Sequence, residues 1–174
     1  MAAQRTLSRE GIEVFRFSPA ATVLIPLLAL FLQASLPLRF PTFQIFNLPL
    51  LVVIFFAVAR RSPIAGTVTG CLIGIAQDSL AYQHQPIGLF GISDTVVGYI
   101  ASSIGVKIDV ENPGSRLLMT FGFYLLSRGI YQLVRNMARQ PIDFNWGHEL
   151  GAALVNAVLA VGLFMLLDRY KQRG

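Results

Sequence analysis

The chain has 174 residues, 54% of them hydrophobic and only 13% charged, with a formal net charge of +5 and a mean hydropathy of +0.60. A soluble domain is about a quarter charged, whereas between Ser18 and Val106 the only Lys, Arg, Asp or Glu residues are Arg39, Arg60, Arg61, Asp78 and Asp94. That excludes a soluble globular domain and fits a chain solvated by a lipid bilayer. The positive charge does not indicate nucleic-acid binding, because the basic residues sit in short segments between apolar runs, where membrane proteins place them.

Arg5, Arg9 and Arg16 precede the first apolar run, and Gln33-Ala34-Ser35 imitates a signal-peptide cleavage site. The run is nevertheless as long as a full span and five more follow, so it reads as an uncleaved first helix. A spanning helix needs about 20 mostly apolar residues, and six stretches qualify. The first is 18–36, with Pro19 in its first turn and Pro37 just past its end. The second is 43–59, kinked at Pro49 and stopped by Arg60-Arg61. The third is 63–80 and the fourth is 87–106. The fifth, 116–134, follows a turn-rich segment from Asp109 to Gly114. The sixth, 147–167, is closed by Asp168, Arg169, Lys171 and Arg173.

The expected fold is therefore an all-α membrane protein: one transmembrane domain over 1–174, a bundle of about six transmembrane helices, with N- and C-termini cytoplasmic. Orientation follows from Lys and Arg placement. With the N-terminus inside, the inner segments hold Arg5, Arg9, Arg16, Arg60, Arg61, Lys107, Arg116, Arg169, Lys171 and Arg173, while the outer loops hold Arg39, Arg135 and Arg139. Ten against three is the bias of a cytoplasmic face. Trp146 suits an interfacial position.

Gly66, Gly70 and Gly74 are spaced four apart on the third stretch, with a looser set of Gly91, Gly98, Ser102 and Gly105 on the fourth. Small residues at this spacing form a groove in which another helix backbone can lie. The occupant is either another helix of this chain or a partner's transmembrane helix. Cys71, the one cysteine, is expected to be a small buried packing residue.

Charges inside spans are costly and face protein or water. Four stand out: Asp78, Asp94, Arg128 and Glu149. At about 1.5 Å of rise per residue, Asp78 lies about 3 Å below the outer end of its helix, and Asp94 and Arg128 each about 9 Å below the outer surface. Glu149 opens the sixth helix on the same side. The four are thus expected at one level as a polar cluster. In it Arg128 serves as counter-ion to Asp94 or Asp78, or the cluster lines a polar cavity open to the outside, or it belongs to a proton or ion path. His84 and His148 read as solvated interfacial residues and Asn156 as an interhelical hydrogen-bonding residue. No catalytic fingerprint, metal-ligand spacing or cofactor motif is present, so the chain is expected to be non-enzymatic, with no cofactor and no metal.

Asn47-Leu48-Pro49, an apolar run, Arg60-Arg61-Ser62-Pro63, the row Gly66, Gly70, Gly74 with Asp78-Ser79-Leu80, and then Gly88-Leu89 together resemble the MreD family of bacterial rod shape-determining proteins. One departure is Ser62, which stands between the arginine and the proline; many relatives have them adjacent. Arg128 has no counterpart in the family pattern. The resemblance implies a six-span protein of the bacterial inner membrane that acts as a scaffold of the cell-elongation, peptidoglycan-synthesising machinery. Its implied partners are a single-span MreC-like protein, an MreB-like filament, and a cell-wall synthase made of a glycosyltransferase and a class B penicillin-binding protein. The family is also similar to the six-helix substrate-binding subunits of energy-coupling-factor vitamin transporters. That similarity keeps open the alternative of a small-molecule transport subunit.

Overall fold

The computed structural model describes residues 15–81, 86–105, 112–140 and 145–173. It contains six α-helices: α1 (Pro19–Arg39), α2 (Leu48–Arg60), α3 (Pro63–Leu80), α4 (Leu89–Gly105), α5 (Pro113–Met137) and α6 (Trp146–Leu167). A 3₁₀ helix, Pro41–Ile45, precedes α2 and another, Asp168–Tyr170, follows α6. Four segments are long and apolar enough to cross a membrane: α1, α5, α6 and the composite Pro41–Arg60. The 17-residue α4 is shorter but apolar. His84, Lys107, the segment from Asp109 to Glu111 and the basic stretch with Arg5 and Arg9 lie outside the described residues.

Helix starts follow a local rule. Ser18, Asn47, Ser62, Asn112 and Asn145 stand before α1, α2, α3, α5 and α6, and each side chain accepts a backbone N–H of the first turn. A proline occupies the first or second position of four of these helices. There the missing N–H is one of the donors that a helix leaves unpaired in any case. This corrects two expectations. Pro49 opens α2 rather than kinking a longer helix. Pro37 does not end α1, which continues to Arg39 and closes with the Phe40 N–H on the Leu36 carbonyl. The fifth helix is also longer than expected, by a turn at its start, because Asn112-Pro113 begins it.

The architecture centres on α2. Every residue from Pro49 to Ala59 is buried, which is the environment that an all-round apolar helix requires. Helices α3 and α4 form the tightest pair and flank α2. α5 packs against α4 and α6, while α1 lies against α2 at the periphery, most of its surface outward. At 13 residues α2 is about 20 Å long, too short for a hydrocarbon core of about 30 Å. The 3₁₀ helix before it makes up the difference. A short antiparallel strand pair, β1 (Phe15–Phe17) with β2 (Lys171–Arg173), adds to the expected helices. It places the two ends of the described chain side by side at one end of the bundle.

The glycine row is the contact between α3 and α4. A Cβ on Gly66 would overlap the Gly98 carbonyl, one on Gly70 the Asp94 carbonyl, and one on Gly74 would come within 2.5 Å of the Phe90 carbonyl oxygen. The looser row on α4 serves the same packing: Gly98 and Ser102 meet Gly66, and Gly105 meets α2 at Val58. The groove is therefore filled by this chain and is not a surface for a partner helix. Cys71 lies beside the buried stripe of Gly66, Gly70, Ile73, Gly74 and Gln77, and is half-exposed rather than buried.

Replacing Gly70 by Leu forces α3 and α4 apart, and overpacking of this kind costs about 1–3 kcal/mol. The level of folded protein in the membrane should fall several-fold. Gly122→Leu is the control, because a side chain there meets nothing within 4 Å. Quantitative immunoblotting of membranes checks this, and a normal level of Gly70→Leu would contradict the α3–α4 contact.

Candidate functional site

The four intramembrane charges gather toward the end of the bundle opposite the β1–β2 pair, but they form three separate arrangements rather than one cluster. Asp78, at the end of α3, reaches across to the start of α4. Its Oδ2 accepts the Gly88 and Gly91 N–H groups at 2.9 and 3.0 Å, and its Oδ1 the Phe90 N–H at 3.1 Å. A carboxylate here meets the unpaired donors and the positive end of the helix dipole. Gly88 has φ of 112°, a backbone conformation that favours glycine.

Asp94 is fully buried between α4 and α5. The hydroxyls of Ser93 and Ser127 both lie 3.2 Å from its Oδ1, and its Oδ2 has no hydrogen-bond partner. Arg128 pairs with neither Asp94 nor Asp78. Its Nε and Nη2 donate to both oxygens of Glu149 on α6 at 2.9 and 2.7 Å, a bidentate and charge-assisted pair. The reason is helical geometry. Ser127 faces α4, so Arg128, rotated by about 100° around α5, faces α6 instead. The guanidinium also lies 5.1 Å from the ring centre of Tyr131, and Tyr131 stacks on Phe90 of α4 with ring centres 4.6 Å apart. Glu149 belongs to the expected set of four, but it, and not Asp94 or Asp78, is the partner of Arg128.

Beside Arg128 is a cavity of about 430 Å³ between α1, α3, α4 and α5. Its polar lining is Gln33, Gln44, Gln77, Arg128, Tyr131 and Arg135, with no acidic residue among the described lining. Arg128, Tyr131 and Arg135 share one stripe of α5, since residues three, four and seven apart fall on one face. Sequence reasoning missed the three glutamines and the role of Arg135. The available signal was polar amides inside apolar runs, the same signal that drew attention to Asn156.

A second polar network adjoins the cavity and secures the break before α2. Asn156, fully buried on α6, accepts the Asn47 N–H at 2.8 Å and donates to the Ile45 carbonyl at 2.8 Å. Gln33 on α1 accepts the Leu48 N–H at 3.0 Å. Gln77 donates to the Asn47 Oδ1 at 3.3 Å. At the opposite end of the bundle Arg116 pairs with Asp168 at 2.7 Å, and Arg60 donates to Thr22 at 2.8 Å. His148 is exposed at the start of α6. Among the described residues no group of His, Cys, Asp and Glu could hold a metal ion.

Comparison with protein-family models, with curated proteins and with solved structures finds no match to this chain.

The Glu149 side chain is only 3% exposed and that of Arg128 23%, so removing one partner strands a buried charge at a cost of about 3–5 kcal/mol. Arg128→Gln should therefore destabilise strongly. Adding Glu149→Gln should recover part of the loss, whereas combining Arg128→Gln with Asp94→Asn should give only the sum of the single effects. Thermal unfolding in detergent measures both cycles, and coupling to Asp94 rather than Glu149 would contradict the pairing.

Proposed function

We propose that the chain is a non-enzymatic scaffold of the bacterial cell-elongation machinery, held in the inner membrane with both termini in the cytoplasm. One observation carries the reading: the residues that resemble the MreD family are the ones that build this fold. Asn47 caps α2 and Pro63 opens α3. The glycine row joins α3 to α4, and Asp78 with Gly88 sets the start of α4. A family defined by its architecture suits a protein that acts by occupying a place in an assembly. The basic residues support the orientation. Arg60, Arg61, Arg116 and Arg169 fall at the end where β1 and β2 meet, and Arg39, Arg135 and Arg139 at the other. The partners under this reading are an MreC-like single-span protein, the synthase pair and an MreB-like filament.

Because the glycine groove is internal, a partner's span has to use another surface. α1 offers one: Leu24, Leu28 and Phe31 are 62%, 58% and 65% exposed. The cavity favours a second reading, a substrate-binding transport subunit of the energy-coupling-factor type.

Leu24→Ala combined with Leu28→Ala leaves the core untouched, so the variant should insert at normal levels. Co-purification with the MreC-like protein should fall several-fold, and rod-shaped cells depending on the variant should round up. Normal rod shape after deletion of the gene, together with loss of uptake of a small molecule, would overturn the scaffold in favour of the transport subunit.

A further inference from the structure

We propose that the cavity lined by Gln33, Gln77, Arg128 and Arg135 binds a phosphate group that carries a neighbouring hydroxyl, presented by an anionic lipid or by a soluble phosphate ester. The proposal rests on the cavity alone and is independent of the scaffold reading.

Gln77 is the first observation. The residue is 8% exposed, and its amide orientation is fixed. Asn47 Oδ1 already accepts the Leu50 N–H, so Gln77 must present its Nε2 to that oxygen. Its Oε1 is then left buried with no partner, on a residue that lines the cavity. A buried acceptor without a donor is costly, and a ligand hydroxyl supplies the missing donor.

The second observation is the α5 stripe. Glu149 holds Nε and Nη2 of Arg128, and Tyr131 supports its flat face. That fixes the guanidinium before any ligand arrives and leaves Nη1 as a donor. Arg135 lines the same cavity two turns further along α5. The nearby carboxylates do not line the cavity, since Glu149 is engaged by Arg128 and Asp78 by the amides of α4. Two guanidiniums with no acid in the described lining match the oxygens of a phosphate.

The third observation is the apolar wall of Leu30, Leu38, Leu80 and Phe90. Leu38 and Leu80 are exposed, which gives the site an apolar flank along which an acyl chain can lie. This wall favours the lipid over the soluble ester.

The full chain, purified in detergent and delipidated, is titrated with phosphatidylglycerol, phosphatidylcholine and glycerol phosphate, and bound ligand is read by native mass spectrometry. Phosphatidylglycerol should bind roughly tenfold more tightly than phosphatidylcholine, because both share the phosphate but the choline cation faces two guanidiniums and offers no hydroxyl to Gln77. Arg135→Gln should abolish that preference. Arg139→Gln, an exposed arginine at the same end but outside the cavity lining, should leave it intact. Gln77→Leu should weaken phosphatidylglycerol binding several-fold. Glycerol phosphate binding as tightly as phosphatidylglycerol would keep the phosphate chemistry and assign it to a soluble ester. Equal binding of the two phospholipids, or equal effects of Arg135→Gln and Arg139→Gln, would overturn the proposal.

Discussion

The fold depends on how the chain enters its central helix. Between the 3₁₀ helix and α2 the backbone is unwound at Phe46 and Asn47, and an unpaired peptide group at membrane depth costs several kcal/mol. Asn156 removes that penalty by holding the Ile45 carbonyl and the Asn47 N–H, and Gln33 does the same for the Leu48 N–H. With Gln77 joined to Asn47, side chains from α1, α3 and α6 converge on one helix start. Short, wholly apolar α2 can then occupy the centre of the bundle, with its polar start enclosed by protein.

The cavity is a consequence of the same junction. Gln33 and Gln77 both reach toward the break and both line the cavity, so securing α2 leaves amide groups on its wall. Arg128 completes the wall because Glu149 neutralises it from the α6 side. The polar end therefore separates structural from available groups. Asp78, Glu149 and Asn156 are engaged within the fold, whereas Gln77 and Arg135 line a space that a ligand can enter.

Much of this was legible in the sequence, and the limits have physical causes. The third and sixth helices appear almost as read, because Ser62-Pro63 and Asn145-Trp146 are local start signals. Close packing along Gly66, Gly70 and Gly74 was also legible, since it depends only on small residues at helical spacing. The identity of the helix in the groove was not, because any helix backbone fits beside a glycine. Pro37 and Pro49 were misread because a proline inside an apolar run looks the same whether it ends, kinks or opens a helix. Depth along the helices assigned the four charges to one end of the bundle. It could not say that Ser127 rather than Arg128 faces α4, and so it paired Arg128 with the wrong acid. The amide network escaped for a related reason: Gln33, Gln77 and Asn156 are far apart in sequence, and each alone is one polar residue in an apolar run.

Amide hydrogen exchange at Asn47 and Leu48 tests the central junction most directly. Neither N–H has a helical partner, so any protection has to come from Asn156 and Gln33. In the detergent-solubilised chain both should exchange slowly, comparably to Leu51 in the first turn of α2. In Asn156→Leu the Asn47 amide should exchange at least roughly tenfold faster, as expected for loss of a buried hydrogen bond of about 1–3 kcal/mol. Fast exchange of Asn47 in the unaltered chain, or no change in Asn156→Leu, would contradict the clamp and with it the account of how α2 is held.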